Sequence, residues 1–389
     1  MTSQISRFKV LFAGICSLIL SMGVARFAYT PLLPVMMSQA GLSHADGGWL
    51  AAINYAGYLL GVILASLVSD AVLKDRLYRW GMVFAVLTTA MMGLSTNFYL
   101  WAVSRFVAGL CTAAGLMLGS GLILNWLFRH DHKRELGIHF SGIGMGIVVC
   151  SLATIAMKHS VAWDMQWTVL TAVACVLLVP ALGWFPAVVK DEVAINQKAE
   201  MQHAPPNARF MRLFLAAYCC AGFGYVITAT FIVAIVNAIP ALANQGGWVF
   251  LVIGLVAAPS SYVWDIVARK IGDVNALCLA GLIEVVGIVM PTLGLGLAGA
   301  LISAVLYGAT AIAIVSLVLT MAGRYYPAQP AKMMSKMTIC YGVAQIVGPG
   351  ITGWLAKIYG GYEVGLYLAA GIMLAGSFLF YLMRNAQNE

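Results

Sequence analysis

The chain has 389 residues, of which 62% are hydrophobic and only 9% charged, and its formal net charge is +8. Soluble globular domains carry roughly a quarter of their residues as charged side chains, so a sizeable soluble domain is excluded. The basic residues stand in small groups at the ends of apolar segments, and this distribution argues against a nucleic-acid partner.

Twelve apolar segments, each long enough to cross a bilayer as an α-helix, follow one another along the chain. The first six are predicted at residues 9–36, 47–67, 80–97, 98–128, 136–157 and 165–185. The last six are predicted at residues 210–236, 247–267, 276–293, 297–321, 333–358 and 362–383. We therefore predict an N-terminal six-helix bundle over 1–185, a polar cytoplasmic linker over 186–209 and a C-terminal six-helix bundle over 210–389.

Lys and Arg residues are distributed very unequally between the two sides of such a membrane protein. If the N-terminus, the linker and the C-terminus share one side, that side holds nearly all the basic residues near helix ends. The other side holds only Lys158 and Lys357. Basic residues accumulate in cytoplasmic loops, so both termini are predicted to be cytoplasmic.

The two halves of the chain resemble each other at a nearly constant offset. The matching positions are Gly23 with Gly222, Gly47-Gly48-Trp49 with Gly246-Gly247-Trp248, Gly109 with Gly308, and Gly142 with Gly342. Because six helices are an even number, both halves have the same orientation and are related by a pseudo-twofold axis along the membrane normal. This parallel repeat is typical of one large class of secondary transporters.

Two local patterns are similar to signatures of the major facilitator superfamily. The segment from Ser66 to Asp70 and the basic residues after it resemble the loop signature that follows the second helix, with serine in place of its glycine. A second copy of this loop signature is identified at Asp265. In the fourth helix, Arg105 followed by Gly109 resembles the arginine-then-glycine signature of that helix.

The sequence of the first helix resembles that of one smaller group within this superfamily. Its sequence from Gly23 to Pro34, GVARFAYTPLLP, is similar to that of the YbfB/YjiJ-like bacterial group. The resemblance implies a bacterial inner-membrane transporter with the major facilitator fold, in which two six-helix bundles alternate in opening a central site. It implies no particular substrate.

Three charged residues lie well away from the ends of the predicted membrane helices: Arg26 in the first, Arg105 in the fourth and Glu284 in the ninth. A charged residue at the centre of a membrane helix costs at least about 2.5–3.5 kcal/mol, so such residues are rare and usually functional. In the repeat, Arg26 corresponds to Tyr225 and Arg105 to Ala304, so only the N-terminal half provides positive charge. Because arginine binds carboxylates through two parallel hydrogen bonds, we predict that both arginines bind an anionic substrate. The alternative for Arg105 is a structural role, bonded to backbone carbonyls.

Neutral polar side chains accompany these arginines at helical spacing. They are Tyr29 in the first helix, Asn54 and Tyr58 in the second, Tyr225 and Thr228 in the seventh, and Tyr341 and Gln345 in the eleventh. A few polar groups on an apolar wall fix the orientation of a small ligand, so all seven are candidate substrate-binding residues. The alternative is that the tyrosines cap helix ends or fill gaps between helices.

The remaining candidates concern coupling and gating. Glu284 is a candidate for proton coupling, because carboxylates inside membranes often serve in proton relays. The alternative is a neutral, structural Glu284, since the ninth helix is peripheral in the implied fold. Asp70 with Arg76, and Asp265 with Arg269, are candidate cytoplasmic gates, in which an aspartate pairs with an arginine or with a helix N-terminus.

These features favour a secondary active transporter that moves a small molecule, most consistently an organic anion, by alternating access. The sequence has no Walker A motif, so a proton or ion gradient is the predicted driving force. No cofactor, metal site or catalytic residue is expected, and we expect a monomer in the lipid bilayer. The alternatives are a drug or neutral-metabolite exporter of the same fold, and a membrane-embedded sensor or lipid-modifying enzyme.

Overall fold

The computed structural model describes residues 6–68, 70–130, 136–157, 160–185, 207–325 and 330–386, and these form helices, turns and loops without a strand. The predicted linker lies outside the described residues except for its last three positions, 207–209. Lys158, counted above on the non-cytoplasmic side, also lies outside them.

The described helices of the first half correspond to the first six predicted segments. The first consists of α1 (Arg7–Leu18), a π-helical segment (Ile19–Phe27) and α2 (Tyr29–Gln39). The second and third are α3 (His44–Leu67) and α4 (Ala71–Gly93). The fourth consists of α5 (Phe98–Ala113), a second π-helical segment (Ala114–Gly119) and α6 (Ser120–Arg129). The fifth and sixth are α7 (Leu136–Met157) and α8 (Trp163–Gly183).

The described helices of the second half correspond to the last six predicted segments. They are α9 (Ala208–Ala238), α10 (Gly246–Ile271), α11 (Asp273–Val289), α12 (Gly296–Tyr325), α13 (Pro330–Tyr359) and α14 (Glu363–Ala386). Short 3₁₀ turns at Pro240–Leu242 and Met290–Thr292 follow α9 and α11.

Among the described residues, eleven helices are long and apolar enough to cross a membrane, which confirms the predicted all-α membrane architecture. The predicted helix that does not meet this criterion is the third, α4. Its predicted start at residue 80 was wrong. The helix begins at Ala71, because the Asp70 carboxylate accepts a hydrogen bond of 2.8 Å from the N–H of Val72 and caps the first turn. Charged residues in these first turns, such as Arg76, concealed the start from a hydropathy pattern.

The π-helical segment of the first helix was not predicted. At its end, the N–H of Ala28 donates to the carbonyl of Gly23, five residues earlier, at 2.9 Å. Pro31 follows within one turn and has no N–H, so a carbonyl of the preceding turn loses its intrahelical donor. Segments of this kind are rare and frequently lie at functional sites.

The chain divides into two compact units, of which the first comprises residues 1–41 and 53–195. In this unit, α1 and the π-helical segment after it pack against α7 and α8, and the same segment also contacts α5. The helix α4 contacts α5 and α8.

The second unit comprises residues 42–52 and 196–389, so it includes the first turns of α3. There, a ring nitrogen of His44 lies 2.9 Å from the hydroxyl of Tyr362. The central helix of the unit is α9, which packs against α13 and α14, while α11 packs against α12 and α14.

The first helix of each half is the most deeply buried. Within the apolar stretch of each membrane-spanning helix, the buried share of residues is 78% in the first helix and 83% in α9, against 28% in α8. The first helices of the two halves are therefore buried to a similar extent.

Backbone contact between α3 and α5 in the first unit depends on two glycines. A Cβ atom added to Gly57 would collide with the carbonyl oxygen of Phe106, and one added to Gly109 would collide with the carbonyl oxygen of Asn54. Small residues at such positions let membrane helices approach until their backbones touch. This contact brings the polar residues of α3 next to those of α5.

We predict that Gly57→Ala lowers the thermal unfolding midpoint of the detergent-purified protein. The added methyl group meets backbone rather than a flexible side chain, and overpacking of this kind costs about 1–3 kcal/mol. Gly371→Ala is the matched control, because that glycine lies in α14 with no atom within 4 Å of the added Cβ. Equal midpoints for the two variants would contradict the α3–α5 contact.

Candidate functional site

Arg26 lies in the π-helical segment of the first helix and is only 5% exposed. The central carbon of its guanidinium lies 4.4 Å from the ring centre of Tyr55 and 4.8 Å from that of Tyr58. The ring of Phe27 lies 5.5 Å away. Tyr55 and Tyr58 are three residues apart on α3 and therefore share one face of the helix. Each such cation–π contact is worth about 0.5–2 kcal/mol, so the charge is held among aromatic rings.

Arg105 on α5 is also buried, at 3% exposure. Its Nη1 donates to the carbonyl of Ala25 at 2.9 Å, and its Nη2 donates to the carbonyl of Arg26 at 3.4 Å. Its guanidinium lies 4.6 Å from the ring centre of Tyr29. Arg105 thus binds the main chain of the π-helical segment, which is the structural role that the sequence left open as an alternative.

Asn54 joins α3 to α5 beside these arginines. Its Nδ2 donates to the carbonyl of Arg105 at 2.7 Å, and its side chain is fully buried. No described residue donates a hydrogen bond to the Asn54 Oδ1 atom, and none accepts one from the Nε atom of Arg105. Two buried polar atoms beside these arginines therefore have no hydrogen-bond partner among the described residues.

The first unit brings all five of its predicted substrate-binding residues into one place. We call this set, with the added Tyr55, the arginine cluster: Arg26, Tyr29, Asn54, Tyr55, Tyr58 and Arg105. Sequence reasoning missed Tyr55, although its spacing of three residues from Tyr58 on an apolar helix was a usable signal. Among the described residues of this unit, no carboxylate is buried, whereas two guanidinium groups are. Since arginine does not lose its proton in proteins, the buried charge in this part of the unit is positive.

Four tyrosines form a second cluster in the second unit, which we call the tyrosine cluster: Tyr218, Tyr225, Tyr307 and Tyr341. The rings of Tyr218 and Tyr341 stack with centres 4.5 Å apart, and Tyr225 lies 5.9 Å from Tyr341. The hydroxyl of Tyr307 donates to the carbonyl of Tyr225 at 2.7 Å. Tyr218 and Tyr307 were not predicted, although Tyr218 lies seven residues before Tyr225 and so on the same face of α9.

Three further polar residues of the second unit are buried. Thr228 and Gln345 lie one turn from Tyr225 and Tyr341 respectively. The Thr228 Oγ1 and Gln345 Oε1 atoms have no hydrogen-bond partner among the described residues, and the same is true of the Glu284 Oε1 atom. Glu284 on α11 is 1% exposed and is the only buried carboxylate that the structure describes. Its side chain is therefore inside the unit rather than on its surface.

The structure places the predicted gating residues at helix ends. Asp70 caps α4, and Arg76 is exposed in the second turn of that helix. The ion pair described in this segment joins Asp75 to Arg79 at 2.9 Å. Near the end of α10, Arg269 donates to the backbone carbonyl of Asp265 at 3.2 Å.

The comparisons with known proteins agree with this architecture. A family model described as "Uncharacterised MFS-type transporter YbfB" matches residues 18–380. The chain belongs to this family of MFS-type transporters. The resemblance of the first helix is thereby confirmed, and the chain is a multi-pass membrane transporter rather than an enzyme.

Relatives of the YbfB-type chain include two proteins named as uncharacterised MFS-type transporters. YceJ of Bacillus subtilis is 23% identical over 267 residues, which cover 67% of each chain. YcaD of Salmonella arizonae is 21% identical over 391 residues, covering 97% of this chain and 95% of YcaD. A third relative, the niacin transporter NiaP of Acinetobacter baylyi, is 22% identical over 42% of this chain and 34% of its own length.

The crystal structure of the nucleoside transporter NupG is similar in fold. It matches with a TM-score of 0.75 at 12% sequence identity, covering 97% of this chain and 98% of NupG. At this identity the match shows the fold alone, and it confirms the predicted major facilitator fold.

We predict that Arg105→Ala destabilises the protein. The change leaves two buried carbonyls of the π-helical segment without their donor, and each unsatisfied buried group costs about 1–3 kcal/mol. The unfolding midpoint of Arg105→Lys should fall between those of the wild type and Arg105→Ala, because an ammonium can reach one of the carbonyls. Thermal unfolding in detergent measures the order. Arg324→Ala is the control, since an exposed arginine paired with Asp273 contributes only about 0–1 kcal/mol. A wild-type midpoint for Arg105→Ala would show that these carbonyl bonds are dispensable.

Proposed function

We propose that this MFS-type transporter is a secondary active transporter that moves a small organic anion across the bacterial inner membrane. Transport proceeds by alternating access and is coupled to protons. The observation that carries the proposal is the buried Arg26, enclosed by the rings of Tyr55 and Tyr58 and adjacent to Arg105.

Electrostatics supports an anionic substrate. The described part of the first unit contains two buried guanidinium groups and no buried carboxylate, so the charge in its interior is positive. An anion that enters the arginine cluster would be attracted by this positive charge. Tyr29, Asn54 and Tyr58 would then contribute neutral hydrogen-bonding groups and ring surface around it.

We propose that the tyrosine cluster, Thr228 and Gln345 are the substrate-binding residues of the second unit. Tyrosine hydroxyls, a threonine hydroxyl and an amide can orient a ligand without adding charge. The Thr228 Oγ1 and Gln345 Oε1 atoms, which lack partners among the described residues, support this assignment because buried polar atoms are normally bonded.

The relative NiaP adds support for the class of substrate. It is named as a niacin transporter, and niacin is a ring carboxylic acid that is anionic at neutral pH. The match covers 42% of this chain, so it supports an organic anion in general rather than niacin itself.

We assign proton coupling to Glu284. A carboxylate inside a membrane protein is a functional-site hypothesis by default, and this one has an oxygen without a hydrogen-bond partner among the described residues. Because Glu284 lies in the interior of its unit, protonation there would change the charge of the packed core.

The remaining assignments rest on the sequence pattern. The distribution of Lys and Arg favours cytoplasmic termini, and we propose that Asp70 with Arg76, and Asp265 with Arg269, act at the cytoplasmic gates of a monomer.

A second candidate function is transport of a drug or neutral metabolite. The bonds of Arg105 to backbone carbonyls favour it, because they give that arginine a purely mechanical role.

We predict that small organic anions raise the unfolding midpoint of the wild-type protein and not that of Arg26→Gln. A ligand at a hundredfold excess over its dissociation constant stabilises the folded state by about 2.7 kcal/mol. The panel contains succinate, nicotinate and lactate, with choline and uridine as cationic and neutral probes. Arg384→Gln, which removes an exposed arginine outside the arginine cluster, is the control and should respond like the wild type. If uridine or choline shifts the midpoint and Arg26→Gln responds normally, the neutral-metabolite function replaces ours.

We predict that Glu284→Gln abolishes acceleration of uptake by a proton gradient while keeping exchange of substrate across the membrane. Glutamine fills the same volume but does not carry a proton, so only the coupled step should be lost. Proteoliposomes loaded with a pH-sensitive dye measure substrate and proton movement together, with an anion that shifts the midpoint as substrate. Glu363→Gln, at the start of α14, is the matched control. Unchanged proton movement with Glu284→Gln would assign coupling to another group.

A further inference from the structure

A groove of about 190 Å³ lies between the first turns of α11 and the last turns of α14. Asn275, Tyr381 and Arg384 line its polar end, and Leu279 and Leu282 line its apolar part. We propose that this groove binds an anionic phospholipid, with the lipid phosphate at Arg384 and the acyl chains along the two helices. The groove lies outside the arginine cluster, so this inference is independent of the organic-anion function.

The polar end of the groove offers hydrogen-bond donors. Arg384 supplies a guanidinium, which binds phosphate oxygens through two parallel hydrogen bonds, and Tyr381 supplies a hydroxyl. The Asn275 amide has two N–H donors, of which one is accepted by the carbonyl of Ile271 at 2.7 Å. The phosphodiester of a lipid headgroup has only acceptor oxygens, so it complements these three side chains.

The charge in the groove is positive. None of the side chains that line it is a carboxylate, and no described carboxylate forms an ion pair with Arg384. Asp273, in the first turn of α11, is paired instead with Arg324 of α12 at 2.8 Å. A zwitterionic headgroup would bring an ammonium beside an arginine with no carboxylate to receive it, whereas a headgroup with one negative charge is attracted. The groove therefore favours an anionic over a zwitterionic phospholipid.

Beyond the polar end, both helices expose apolar side chains next to the groove. On α11 these are Leu279, Leu282 and Val286, which are spaced three or four residues apart and so share one face. On α14 they are Phe378 and Leu374, again one turn apart. Because the start of α11 packs beside the end of α14, the two apolar rows run side by side away from Arg384. This surface lies where the acyl chains of a lipid bound at Arg384 would extend.

The position of the groove along the helices suits a lipid headgroup. Asn275 lies in the first turn of α11 and Arg384 in the last turn of α14. Aromatic and basic residues at the ends of membrane helices lie at the level of the headgroups. The C-terminus that follows α14 is predicted to be cytoplasmic, and basic pockets between helices on that side are typical binding sites for anionic headgroups.

The test is native mass spectrometry of the full-length protein in a non-ionic detergent. Dioleoyl-phosphatidylglycerol is the anionic lipid, dioleoyl-phosphatidylethanolamine is the zwitterionic lipid with the same acyl chains, and inorganic phosphate is the free anion. We expect the first phosphatidylglycerol to bind about fivefold more tightly than phosphatidylethanolamine, the factor that one basic residue contributes beside an anionic headgroup. Millimolar phosphate should not displace it, because the acyl chains supply part of the binding.

Two pairs of variants separate the phosphate contact from the acyl-chain contact. Arg384→Gln should weaken phosphatidylglycerol binding about fivefold, whereas Lys270→Gln, which removes the same charge at the end of α10, should not. Leu279→Trp fills the apolar part of the groove and should weaken the binding of both lipids, whereas Leu255→Trp on an exposed face of α10 should not. Size-exclusion profiles establish that each variant is folded, and the wild-type lipid preference tests the inference even where a variant is not.

Three results would overturn the inference. Equal affinities for the two lipids, or unchanged phosphatidylglycerol binding by Arg384→Gln, would show that the groove does not recognise the anionic headgroup. Displacement of the lipid by millimolar phosphate would assign the polar end to a free anion. A dimer that Leu279→Trp dissociates, without lipid binding by the wild type, would assign the groove to a second copy of the chain.

Discussion

The contact between Arg105 and the main chain of the first helix is the interaction on which the rest of the site depends. It ties α5 to the π-helical segment through the carbonyls of Ala25 and Arg26. The same segment presents the Arg26 side chain to α3, where Tyr55 and Tyr58 receive it. One arginine therefore provides the scaffold that positions the other, and the first unit can hold a charge at a depth where membrane helices normally exclude it.

Glycine makes this arrangement possible, because side chains of ordinary size would keep the helices apart. Backbone contact at Gly57 and Gly109 places Asn54 within hydrogen-bonding distance of the Arg105 carbonyl. Where the first helix meets α7, a Cβ added to Gly23 would lie 2.6 Å from the Cα of Gly146. The first helix is thus enclosed by close neighbours, and Arg26 on it lies among aromatic rings.

Much of the fold could be predicted from the sequence, because hydropathy and repeat symmetry act over whole helices. Most of the arginine cluster could also be predicted from the sequence, since charges and tyrosines at helical spacing mark one face of a helix. Other features depend on three-dimensional contacts that a single sequence does not encode locally. The start of α4 was concealed by its charged first turns, and Tyr307 acquires its role only through a bond to the carbonyl of Tyr225. The different surroundings of the two arginines, rings for Arg26 and backbone carbonyls for Arg105, likewise depend on contacts between helices.

The π-helical segment has a consequence for how related proteins are matched to this one. A π-helical turn takes an extra residue, so side chains after Phe27 point in directions that an uninterrupted helix of the same length would not reproduce. The equivalent helix of the other half, α9, is an unbroken α-helix from Ala208 to Ala238. Equal offsets in the two halves therefore match residues without matching the faces they occupy. The same holds for any homologue whose first helix lacks the segment, because a gap-free alignment would match positions that lie on different faces of the helix. Equivalent positions of the first helix in related proteins therefore have to be established in space rather than along the chain.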